Sequence, residues 1–216
     1  MAATRIHTMS IENEPSMSHY DTFFWEKHTR QLWSLLNAVE FSASDGQRLP
    51  IDQGFKTVIQ FGIDLRRHKK TLFCIGNGAS ASMGSHFAAD LMKNAHIKTA
   101  VFTDPALMTA VANDLSFEDV YAHPLSLGAR EGDCLLAISS SGRSPNIISA
   151  LTVAKEMRLT TISLTAMQAD NPARSLGDLN IYFPAKSYGL AETVHAALLH
   201  CWTDALSDTQ NAASPS

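Results

Sequence analysis

Two short loops and two helical segments hold the residue types that can bind an anion, hold a cation or move a proton. The first loop, Gly76-Asn77-Gly78-Ala79-Ser80, follows the apolar run Thr71-Leu72-Phe73-Cys74-Ile75 and opens a helical segment. Glycine lets the backbone approach a ligand, and a helix N-terminus offers free N–H groups to an anion. The second loop, Ser139-Ser140-Ser141-Gly142-Arg143-Ser144-Pro145, follows the apolar run DCLLAI and opens another helix. Capping a helix needs one hydroxyl. Ser139, Ser140, Ser141 and Ser144 exceed that need. Together with the helix dipole they can surround a phosphate with neutral donors. The loop lacks the GK[ST] ending of a P-loop, and GNGAS does not fit the dinucleotide glycine spacing, so no nucleotide cofactor is expected.

The helical segments carry ionisable groups. His86 and Asp90 lie four apart and face the same way. The last apolar helix, AETVHAALLHCW, carries Glu192, His195 and His200. Glu192 and His200 are separated by about 80° around an ideal helix, so both can face one cleft. Ionisable groups in such a setting need a partner or a function. His86, Asp90, Glu192 and His200 together offer N/O ligands for a divalent ion, zinc being typical. His195 reads either as a partner behind that site or as a plain surface histidine.

Strands alternating with helices must position these groups. Strands are expected at Thr71–Ile75, Lys98–Phe102, Asp133–Ile138, Thr160–Leu164 and Leu179–Phe183, with helices between them and a long helix over Leu190–Leu206. The pattern predicts an α/β fold: a doubly wound, five-stranded parallel sheet flanked by helices. Two amphipathic helices precede it, at His19–Phe41 and Ile51–His68, with Ser42–Pro50 as a polar turn. Residues 1–17 read as a disordered arm, 18–206 as one domain and 207–216 as a disordered tail. In such sheets ligands bind beyond the carboxyl ends of the strands, where both glycine- and serine-rich loops fall.

The 216 residues are 45% hydrophobic with a net charge of −4, which suits one globular domain and gives no signal for nucleic acid. The cluster Arg66-Arg67-His68-Lys69-Lys70 reads as a solvated helix end. Cys74, Cys134 and Cys201 sit in apolar runs without metal or disulfide spacing and read as buried thiols of a reducing cytoplasm. No run is long enough to span a bilayer, and the N-terminus lacks a signal-peptide core. A cytoplasmic protein without a membrane partner is expected.

GNGAS, HFAAD, AND, ISSSGRS and the ExxHxxxxH of the last helix occur in this order. The set resembles the sugar isomerase (SIS) domain family, and within it the phosphoheptose isomerases, over about Phe23–Leu206. That family interconverts sedoheptulose 7-phosphate and D-glycero-D-manno-heptose 7-phosphate. The resemblance implies a phosphorylated sugar as substrate and a homotetramer, built partly by the N-terminal helices, with active sites at subunit contacts. It implies substrate contacts at Asn77, Gly78, Ala79, Ser80, Asn113, Asp114 and Glu192. It implies a phosphate cradle at Ser139, Ser140, Ser141 and Ser144. Metal and acid/base positions fall at His86, Asp90, Glu192 and His200, with proton transfer between C1 and C2 by Asp90 and His200. A bound metal or the turn at Asn77 would stabilise the enediolate oxygens. Two positions depart from the family: its usual glutamate is Asp90 here, and its usual glutamine is Glu192. These departures imply a related but altered substrate, another heptose phosphate or an eight-carbon sugar phosphate. The alternative is a non-catalytic SIS protein that binds a phosphosugar or another protein. Retention of Asp90 and His200 argues for the enzyme.

Overall fold

Seven strands form one sheet in the order β2-β1-β7-β6-β5-β3-β4 in the computed structural model, which describes residues 23–213. Five of them are the expected parallel strands: β3 (Thr71–Gly76), β4 (Lys98–Val101), β5 (Cys134–Ser139), β6 (Thr160–Ala166) and β7 (Leu179–Phe183). Their near-continuous apolar sequences follow from burial on both faces. Alternate side chains divide the core. Leu72, Cys74, Leu136 and Ile138 face one cluster, with residues of α2 (Ile51–Arg67), α3 (Ala79–Asn94) and α7 (Tyr188–Ala213). Phe73, Ile75, Leu135 and Ala137 face the other, with α4 (Pro105–Asp114), α5 (Asp119–Gly128) and α6 (Pro145–Glu156).

The other two strands correct the sequence-based expectation. The first helix, α1 (Phe24–Asn37), stops before Phe41, and Ser42–Pro50 is not only a turn. Glu40–Ala43 (β1) and Arg48–Leu49 (β2) form a hairpin, and β1 pairs antiparallel with β7. Phe41 and Ser42 are both buried, as expected of a strand covered on both faces. The Asp45-Gly46 pair in the turn was the local signal, and Gly46 takes the positive φ of +82° that such a turn demands.

The last helix also runs further than expected, to Ala213 rather than Leu206. Arg66 explains part of this extension. Its guanidinium donates to the carbonyls of Ala95 (3.1 Å) and Leu206 (3.3 Å) and to Thr209 Oγ1 (2.9 Å). That residue is therefore a clamp between α2, α3 and α7 and not part of a solvated helix end. The expected N-terminal arm lies outside the described residues. Among the described residues no helix is long and apolar enough to cross a membrane.

Candidate active site

Strand order reverses at β3, whose neighbours are β4 on one side and β5 on the other. A doubly wound sheet opens a crevice at such a switch, outside the carboxyl ends of the two strands. The turn after β3 and the serine loop after β5 meet there. A cavity of about 140 Å³ is lined by Asn77, Ser80, Ser139, Ser140, Ser141, Ser144, Tyr188 and Glu192.

The serine loop is shaped for donation. Gly142 has φ +61°, and a Cβ there would lie 2.0 Å from Oδ1 of the buried Asn171. The Gly142 N–H donates to Ser139 Oγ (3.1 Å) and the Arg143 N–H to Ser141 Oγ (3.3 Å). Both hydroxyls therefore act as acceptors within the loop and keep their O–H for a ligand. Ser140 Oγ is buried without a partner. Ser144 occupies the N-cap of α6 yet makes no side-chain capping bond. No lysine or arginine lines the cavity, and Arg143 pairs instead with Asp170 (2.9 Å). An anion here would be held by hydroxyls, N–H groups and the dipole of α6, with the Glu192 carboxylate as the opposing charge.

A second cleft, of about 360 Å³, runs along the seam between α3 and α7. Both helices start at the carboxyl edge of the sheet, and Phe87 packs on Trp202 across the seam with ring centroids 5.1 Å apart. The cleft is lined by Ser82, Met83, His86, Asp90, Leu199, His200 and their neighbours. Asp90 Oδ2 lies 3.2 Å from His86 Nε2 and 4.0 Å from His200 Nδ1. The ligand atoms of these three residues fall within 4.8 Å of one another. Ligands at zinc distances around a tetrahedral ion stand roughly 3.4 Å apart. The set therefore fits a divalent ion after small rotamer changes, with one carboxylate and two imidazoles as donors.

A family model described as the SIS domain matches residues 52–166. A phosphoheptose isomerase of Aromatoleum aromaticum is 35% identical over 150 residues, covering 66% of this chain and 75% of that one. A second, from Shewanella denitrificans, is 36% identical over 149 residues, covering 65% and 76%. The chain belongs to the SIS-domain family, in its phosphoheptose isomerase branch. The fold agrees with a solved phosphoheptose isomerase from Francisella tularensis (TM-score 0.74, 21% identity, 86% of this chain and 95% of that one).

Within this SIS domain the sequence-predicted residues divide into two groups. Asn77, Ser80, Ser139, Ser140, Ser141, Ser144 and Glu192 share the serine cavity, with Gly78 and Ala79 at the start of α3 beside it. His86, Asp90 and His200 share the cleft. Glu192 does not join them, because it lies two turns before His200, about 12 Å along α7 at 1.5 Å per residue. Asn113 and Asp114 end α4, are exposed, bond to each other (2.8 Å) and line neither cavity.

Two further expectations are corrected. The surface reading of His195 is overturned, and the residue lines neither cavity. It is fully buried, with Nε2 3.2 Å from the Thr165 carbonyl and its ring against Phe183. Burial pulls its pKa down to about 4. Cys201 is exposed, whereas Cys74 and Cys134 are buried free thiols, with Cys74 pushed up to about 12 by desolvation. Sequence reasoning missed Tyr188 at the cavity rim and the buried Asn146 behind it. An asparagine just inside the helix opened by the serine loop was the available signal.

Proposed function

We propose that this chain interconverts sedoheptulose 7-phosphate and D-glycero-D-manno-heptose 7-phosphate, or a closely related sugar phosphate, by proton transfer through an enediol. Membership of the phosphoheptose isomerase branch supports the reaction class. The observation that carries the reading is the Asp90 carboxylate within reach of two imidazoles in a cleft whose Ala196 stands one turn of α7 from Glu192 of the serine cavity. About 12 Å of helix separates the two ends of the seam, a length that an extended seven-carbon phosphate can span. The phosphate belongs at the serine end and the reacting carbons at the Asp90 end. Phosphate binding then supplies energy remote from the chemistry and fixes the sugar's register.

Asp90 and His200 divide the proton transfer between C1 and C2, one removing a proton as the other supplies one. His86 stands 3.2 Å from the same Asp90 oxygen that faces His200, and its ring lies edge-on to that of His200. A divalent ion, zinc by its donor set, would be held by His86, Asp90 and His200, and when bound would polarise the sugar oxygens. Asn77 lines the serine cavity and so works at the phosphate end. The non-catalytic reading is disfavoured, since the acid/base pair is retained at the cleft. A cytoplasmic location belongs to the same reading and is supported by the free thiols Cys74 and Cys134.

The test is turnover of sedoheptulose 7-phosphate by purified protein with and without chelator, beside Asp90→Asn and His200→Gln. Each variant is expected to lose at least about 100-fold in kcat while remaining folded. Folded wild type that leaves this substrate untouched, with or without added zinc, removes the substrate assignment.

A further inference from the structure

Asn77 and Asn146 are 69 residues apart and meet behind the serine cavity as a reciprocal amide pair. Asn77 Nδ2 donates to Asn146 Oδ1, and Asn146 Nδ2 donates to Asn77 Oδ1, both at 2.9 Å. The Tyr121 hydroxyl gives its one hydrogen to the carbonyl of Gly76 and stands 3.5 Å from the same Asn77 oxygen. An amide oxygen has two acceptor sites and an amide nitrogen two hydrogens. The Asn77 oxygen thus accepts from Asn146, while one of the Asn77 N–H hydrogens goes to the Asn146 oxygen. One N–H donor remains on a side chain that lines the cavity. Asn146 itself is 2% exposed and does not line it.

We infer that Asn146 is a positioning residue that locks the Asn77 carboxamide with its donor facing a bound phosphorylated ligand. This deepens the phosphate-cradle reading and rests on it. The lock matters because a free asparagine can rotate its amide and present an oxygen instead. An oxygen facing a phosphate is repulsive, and the cavity already contains the Glu192 carboxylate. Asn146 also stands at the second position of α6, directly after Ser144 and Pro145. The pair therefore ties the glycine turn after β3 to the helix whose N-terminus faces the anion, holding the two halves of the cradle in register.

The experiment is a double-mutant cycle read by calorimetric titration with inorganic phosphate, using Asn77→Ala, Asn146→Ala and the double variant. Each single variant is expected to weaken binding about tenfold, and the double no more than either, because Asn146 acts only through Asn77. Losses that multiply in the double variant would overturn the positioning role, as would an Asn146→Ala protein that binds phosphate like wild type. Should Asn146→Ala not fold, Asn146→Leu keeps the side-chain volume without either amide group and enters the same cycle. Multiplying losses or unchanged affinity there overturn the lock equally. Wild type that does not bind phosphate removes the cradle and the lock together. Wild type that binds it, with variants indistinguishable from wild type, removes the lock alone.

Discussion

His195 is held neutral by its surroundings. Its Nε2 donates to the Thr165 carbonyl, its Nδ1 has no partner, and its ring lies against Phe183. Desolvation outweighs the carbonyl contact and lowers the pKa from 6.5 to about 4. Between those values the unfolded chain takes up a proton that the native state refuses. Stability is therefore complete above about pH 6.5 and falls as the pH drops towards 4, by at most about 3 kcal/mol from this group. Urea unfolding at pH 7 and pH 5 should show the loss in wild type, and His195→Gln should flatten that part of the slope. An identical slope in both proteins would mean that His195 titrates normally. A buried neutral histidine was not legible from the helix pattern, because azimuth on α7 says nothing about what lies across from it.

At the scale of elements, the serine loop depends on one backbone conformation. The positive φ of Gly142 carries the chain from β5 into α6, and its absent side chain leaves space for Asn171. Asn171 cannot retreat easily, since its Nδ2 is bonded to Gln168 O (2.8 Å) and it is 2% exposed. Gly142→Ala should cost about 3 kcal/mol or more, combining the left-handed conformation with the steric clash. Denaturant titration would measure this, and inorganic phosphate affinity should fall with it. An alanine variant of wild-type stability would mean that the loop can adopt another path. The loop itself was readable from sequence, because three serines and a glycine between an apolar run and a helix are a local signal. Its partner Asn171, on a distant connection, was not.

On the scale of the whole molecule, α1 has no fully buried residue, and only its Leu32 and Leu35 pack against the core. Trp25 is 75% exposed and Trp33 71%, and Phe24 and Leu36 are exposed on the same helix. Exposed apolar patches of this kind are typical of assembly interfaces. A homotetramer, proposed from the family resemblance, would cover this one. Sedimentation equilibrium should give about four times the 23.5 kDa chain mass, and Trp33→Glu should shift the protein to smaller species without unfolding it. A monomeric wild type would remove this assembly. His86 and His200, with side chains 64% and 57% exposed, would become more enclosed if such an interface reached the cleft.

By itself the sequence determined the parallel α/β core, the place of both loops at strand ends, and the residue types available for phosphate and proton chemistry. These are local properties: apolar runs of strand length, glycine and serine at the breaks, and helical spacing between them. Only the tertiary structure decided which of those residues meet. It paired β1 with β7 across most of the chain, which no local pattern encodes. It gathered His86, Asp90 and His200 while leaving Glu192 with the serines, because helix periodicity fixes a residue's direction but not its neighbours. It also joined Asn77 to Asn146, a contact made only when β3 and β5 lie side by side.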